Sequence, residues 1–84
     1  MKYEKYIIST ISNSDYIREC LVKLNNDLEH TFEFQANITE KYKNNNSIEF
    51  SFQVPNLPDE SYTRIEIFLD KYIQNIRNIL DNNR

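Results

Sequence analysis

The chain has 84 residues and a formal net charge of −3, with 39% apolar, 13% aromatic and 27% charged residues. That is the composition of one globular unit, an α+β domain spanning 1–84, and a chain of this size buries only about 60–65% of the surface it exposes when unfolded, which excludes a large internal cavity. The negative balance argues against a general polyanion binder, and no apolar run comes near the roughly 20 residues that span a bilayer.

The first residues, Met1, Lys2, Tyr3, Glu4 and Lys5, do not lead into the apolar core of a secretory signal, so a cytoplasmic location is expected. Cys20 has no second cysteine to pair with, suits a reducing compartment, and reads as a small buried side chain. The abundance of Asn, Ile, Lys and Tyr is what a very AT-rich genome encodes, as in low-GC bacteria and their phages.

Residues 3–11 are rich in Tyr and Ile and predict a strand, β1, with neither parity cleanly apolar, as befits an edge or a strand covered on both faces. Ser12, Asn13, Ser14 and Asp15 then offer N-caps for a helix, α1, which carries Ile17, Cys20, Leu21, Leu24 and Leu28 at helical spacing and closes at His30, read as a C-cap residue. Only Val22 points away from that stripe. At Thr31 the period changes to two. Phe32, Phe34, Ala36 and Ile38 alternate with polar residues and predict a strand, β2, over 31–39. Ile48, Phe50, Phe52 and Val54 alternate in the same way and predict β3 over 47–54.

Between these strands lie Asn44, Asn45 and Asn46, the natural hairpin turn in a chain with no glycine, because Asn best replaces glycine where φ must be positive. Pairing Lys43 with Ser47 keeps both apolar sets on one face and sets Lys41 against Glu49, Thr39 against Ser51 and Asn37 against Gln53. It also brings Glu40 onto the apolar face opposite Phe50, where a bulge or frayed end is expected. Pro55 and Pro58 open a long helix, α2, over 60–81, with Asp59 and Glu60 at its positive end. Its stripe comprises Tyr62, Ile65, Phe68, Leu69, Tyr72, Ile73, Ile76, Ile79 and Leu80, and Ile67 stands alone on the other side.

This order of elements packs most simply as a three-stranded antiparallel sheet covered on one face by both helices. A right-handed crossover through α1 gives the order β1-β3-β2, a ferredoxin-like topology lacking its last strand, and the alternative order β3-β2-β1 would make β1 and β2 parallel. The likeness is topological and carries no function.

The lack of glycine excludes phosphate-cradling loops, dinucleotide fingerprints and EF-hand turns. The single histidine has no second imidazole or suitably spaced thiol for a zinc site, so no metal or cofactor is expected. The acidic pairs Asp15/Glu19 and Glu66/Asp70, four residues apart, are ordinary for solvated helix faces, and no Ser or Thr sits in a nucleophile-base pattern. The predicted open face, with Glu33, Gln35, Asn37, Thr39, Glu49 and Ser51, lacks the aromatics that stack bases. A non-enzymatic protein is expected.

Charge placement then singles out surfaces. Between Lys23 and Lys41 stand four acids and no Lys or Arg, and the topology gathers Asp27, Glu29, Glu33, Asp59 and Glu60 at one end, where negative charge opposes the C-terminal dipole of α1. This acidic pole is the expected contact for a larger protein with a basic surface, as in a phage or mobile-element inhibitor of a host nucleic-acid enzyme of the anti-CRISPR or anti-restriction type. The alternative is a small nucleic-acid-binding regulator acting through Lys41, Lys43, Arg77 and Arg84 near the hairpin tip. The predicted α2 is longer than the strands, so Ile76, Ile79 and Leu80 are expected to overhang the sheet. With Phe32, Phe34 and Ile67, they are candidate contacts of a homodimer.

Overall fold

Isoleucine, phenylalanine and valine at every second position make Ser47–Val54 the centre of the molecule. In the computed structural model, which describes residues 2–57 and 59–82, this segment is β3 and lies between β1 (Tyr3–Thr10) and β2 (Asn37–Tyr42), both antiparallel to it. The sheet order is β1-β3-β2, with α1 (Ser14–Phe32) and α2 (Asp59–Asn82) in the connections. This is the expected α+β architecture and strand order. Ile48, Phe50, Phe52 and Val54 are buried together with Tyr3 and Ile7 of β1, Ile17, Leu21, Leu24 and Leu28 of α1, and Ile65, Leu69, Ile73 and Ile76 of α2. One face of the sheet therefore carries the core and the other stays open.

The hairpin register is the expected one: Asn37 faces Gln53, Thr39 faces Ser51, Lys41 faces Glu49, and the Lys43 amide donates to the Ser47 carbonyl at 3.0 Å. The turn works differently from the sequence-based expectation. None of the three asparagines has positive φ; instead Asn44 Oδ1 accepts from the Asn46 amide at 2.8 Å, so the side chain closes the turn. Glu40 also departs from expectation. The ladder runs through Glu40 opposite Phe50 with no bulge, because Arg18 on α1 reaches Glu40 with its Nε, holds Asp15 at 2.6 Å, and lies over the Phe50 ring at 5.9 Å.

The boundary between α1 and β2 needs correction. Residues 31 and 32 continue the helix, and β2 begins at Asn37 rather than Thr31. Phe32 satisfies both periods, lying two residues before Phe34 and four after Leu28. The helical option prevails because it sets the Phe32 ring edge-on to Phe68 of α2 at 5.4 Å. His30 accordingly lies in the last turn, and the C-cap is Glu33, in the left-handed conformation (φ 64°, ψ 26°), its amide bonded to the Glu29 carbonyl. At the other end, none of the expected N-cap side chains bonds an α1 amide. A 3-10 turn over Ile11–Asn13 leads into the helix, and Ser14 Oγ donates back to the Ile11 carbonyl at 2.7 Å.

The two helices run antiparallel, with Phe32 beside Phe68 and Asp27 beside Tyr72. Tyr3, at the start of β1, donates to Asp70 at 2.8 Å, and Arg77 donates to the Tyr6 carbonyl at 2.9 Å, so α2 runs parallel to β1. Residues 59–69 therefore precede the sheet by about 16 Å, which reverses the expected overhang. Ile76 is buried and Leu80 packs on the core, whereas the first turns of α2 project past the sheet; Ala36 and Leu57 of the two connecting loops are buried in the same core and Phe34 packs against it.

Asn25 fixes the loop that follows α1. Its Oδ1 accepts from the Ala36 amide at 2.7 Å and its Nδ2 donates to the Ala36 carbonyl at 3.2 Å, giving that residue the two bonds a neighbouring strand would supply. Asn25→Ala would leave both main-chain groups of nearly buried Ala36 without these partners. We expect a loss of about 1–3 kcal/mol, read as a lower urea midpoint at constant m-value; an unchanged midpoint would refute the role given to Asn25.

Candidate functional site

Of the five acids singled out from sequence, Glu29 and Glu33 close α1, whereas Asp59 and Glu60 open α2 about 13 Å along that helix from Phe68, the neighbour of Phe32. All four are exposed. Glu29 Oε2 accepts from Gln35 Nε2 at 2.8 Å, which ties the loop to the helix and orients that carboxylate. Asp59 and Glu60 occupy the first turn of α2, where the helix dipole favours them, while Glu29 and Glu33 stand at the opposing pole of α1, where it does not. His30 is the only basic residue in the last turn of α1.

Asp27 differs from the other four in being half-buried and bonded across the helix interface. Its Oδ2 accepts from the Tyr72 hydroxyl at 2.9 Å, joining the helices about 20 Å along α2 from Asp59. Burial, followed by the bond to Asp27, pushes the Tyr72 phenol up to about 12. Tyr3 is raised further, by burial first and then by its bond to Asp70, which Lys5 approaches to 4.0 Å.

The basic residues are not drawn into one surface. Lys41 and Lys43 belong to the β2 side of the hairpin, with Lys43 Nζ 3.4 Å from Glu49, whereas Arg77 lies at the β1 edge on the opposite side of the sheet. Arg84 lies outside the described residues. Of the candidate dimer contacts, Phe32, Phe34 and Leu80 pack on the chain's own core and Ile76 is buried in it, while Ile67 and Ile79 remain exposed. Cys20 is half-buried rather than buried, in a groove between the helices that Tyr16, Lys23, Tyr72 and Ile79 also line. Asp15, of the acidic pair on α1, is taken up by Arg18, and Asp70, of the pair on α2, by Tyr3. Glu33 and Gln35 sit in the loop and not on the sheet.

Among the described residues no three His, Cys, Asp or Glu side chains come together as metal ligands, and no helix is long and apolar enough to cross a membrane. Sequence reasoning missed Tyr6 and Ile8, 47% and 61% exposed on the open face of β1. Their even parity was the available signal, obscured because Tyr3, Lys5, Ile7 and Ser9 on the odd parity are not uniformly apolar.

Glu33 occupies a conformation that costs a β-carbon-bearing residue about 1 kcal/mol relative to glycine. Glu33→Gly should raise stability by on the order of 0.5–1 kcal/mol in urea unfolding, and a loss of stability would show that the Glu33 side chain contributes to the fold. The Tyr72 and Tyr3 phenols are weaker acids in the folded chain than unfolded. Their stabilisation is therefore complete below about pH 10 and is lost as pH rises through the folded values, about 12 for Tyr72. The urea midpoint should fall above about pH 10, and less steeply in Tyr72→Phe and Tyr3→Phe, with phenolate absorbance followed in parallel; equal slopes in all three proteins would count against this linkage.

No family model, curated protein or solved structure matches the chain.

Proposed function

We propose that this protein is a non-enzymatic binding module whose acidic end engages a basic surface on a larger protein. The observation that carries the reading is Glu33. It is exposed, it adopts a left-handed conformation that glycine or asparagine would fill at lower cost, and it adds negative charge at the disfavoured pole of a helix that already holds Glu29. Two local rules broken at one solvated residue support reading this end as one where binding outweighs stability. Asp59 and Glu60 extend the same negative field on a helix end that projects beyond the sheet, accessible to a concave partner.

Fields of this kind mainly accelerate encounter, and partly buried aromatics nearby, Phe34 and Tyr62, offer apolar contact once the surfaces meet. The basic groove of a nucleic-acid enzyme is the class of surface this end would fit, and the module would inhibit such an enzyme by occupying the path of the phosphate backbone.

The test is affinity capture from the cells that encode the chain, followed by association kinetics with the captured protein. Glu29→Lys, Glu33→Lys and Glu60→Lys together should lower the association rate at least about tenfold at low salt, and the wild-type rate should fall with ionic strength. Capture and rates indifferent to both changes would reject the acidic end as the binding surface.

A further inference from the structure

β1 is an outer strand, and its free edge is unusually receptive. Arg77 donates to the Tyr6 carbonyl, so the main-chain groups of Tyr6 point away from β3; strand alternation turns those of Glu4, Ile8 and Thr10 the same way. The side chains of Tyr6 and Ile8 are exposed on the open face. Beside the edge runs a groove of about 290 Å³ lined by Tyr6, Ile7, Ile8, Arg77, Leu80 and Asp81. Natural edge strands are commonly blunted by charge, proline or a bulge, whereas residues 6–8 of β1 read Tyr, Ile, Ile and pair with β3 without interruption.

We propose that this edge pairs with the same edge of a second copy, making a continuous six-stranded sheet across a two-fold axis at Ile7. A symmetric antiparallel pairing that keeps both cores on one side must match residues of equal parity. Centred on Ile7, it sets Tyr6 against Ile8 of the second copy, Lys5 against Ser9 and Glu4 against Thr10, so no like charges meet. The outward main-chain groups of Glu4, Tyr6, Ile8 and Thr10 then form about eight ladder bonds. Tyr6 and Ile8 from both copies join in one apolar cluster on the open face. Charge agrees with this register. Arg77 is level with Tyr6, and Asp81 lies one turn further along α2 beside Ile8, so the antiparallel copy brings its Asp81 level with Arg77 and its Arg77 level with Asp81. Arg77 caps the Tyr6 carbonyl in the single chain and exchanges that contact for the partner carboxylate.

The other edge does not offer this symmetry. Pairing β2 with itself sets Glu40 against Glu40, Lys41 against Lys41, or Glu40 against Ile38, depending on the centre chosen. The Arg18 contact with Glu40 also occupies the helix side of that strand.

Paired segments this short make interfaces at the small end of the stable range, so sedimentation equilibrium of the full chain should extend to about 0.5 mM. A reversible dimer is expected, weakened at least about tenfold by Ile8→Lys, with circular dichroism confirming that the variant keeps its fold. In a Cys20→Ser background, a mixture of Tyr6→Cys and Ile8→Cys chains should form disulfides between unlike chains, because residues 6 and 8 face each other whereas two copies of either residue lie too far apart to bridge. A wild-type chain that stays monomeric throughout, a dimer indifferent to Ile8→Lys, or cross-linking as efficient between like chains as between unlike ones would overturn the proposal.

Discussion

The burial of one face of β3 is the constraint on which the rest of the structure depends. Ile48, Phe50, Phe52 and Val54 are each almost wholly enclosed, flanked by a strand on either side and covered by two helices. Every element touching them must present an apolar stripe toward the same plane, which fixes the parity of β1, the register of β2 and the rotation of both helices. With so small a core, the loss of one of these rings would remove a large fraction of the total stability, since large-to-small truncations cost about 3–5 kcal/mol. Tyr3 shows how closely the constraint is met: its ring meets Phe52 edge-on at 6.3 Å while its hydroxyl reaches Asp70 on α2.

Much of this is legible in the sequence. The strict alternation in residues 47–54 and the polar match between Lys41 and Glu49 gave the hairpin register to the residue, and the apolar stripe of α2 named its buried face. What alternation could not decide was Phe32, which fits a strand read from Phe34 and a helix read from Leu28; the ring of Phe68, far off in sequence, selects the helix. Length arithmetic predicts an overhang for α2 but places it at Ile76, Ile79 and Leu80, the wrong end, because the direction depends on where Tyr3 and Arg77 tie the helix to β1. The acidic end was legible as a charge count, whereas the removal of Asp27 to the helix interface depended on a phenol 45 residues away.

A chain without glycine must solve its tight corners with other chemistry, and three polar residues show how. Asn44 closes the hairpin turn through its side chain, Asn25 replaces a strand neighbour for Ala36, and Asn56 takes a positive φ of 56° in the loop before α2. Glu33 is the exception. It has neither the short amide of asparagine nor the freedom of glycine, yet it holds the left-handed corner at the end of α1.

The strand order also governs how the polypeptide matures as it is made. Tyr3 is synthesised well before its ladder partner Val54, with α1 and the whole of β2 in between. The Tyr-Ile-Ile run of β1 therefore depends on a distant strand for its pairing, whereas β2 meets β3 through a short turn, so most of the loop-closure entropy of the sheet falls on the β1-β3 ladder.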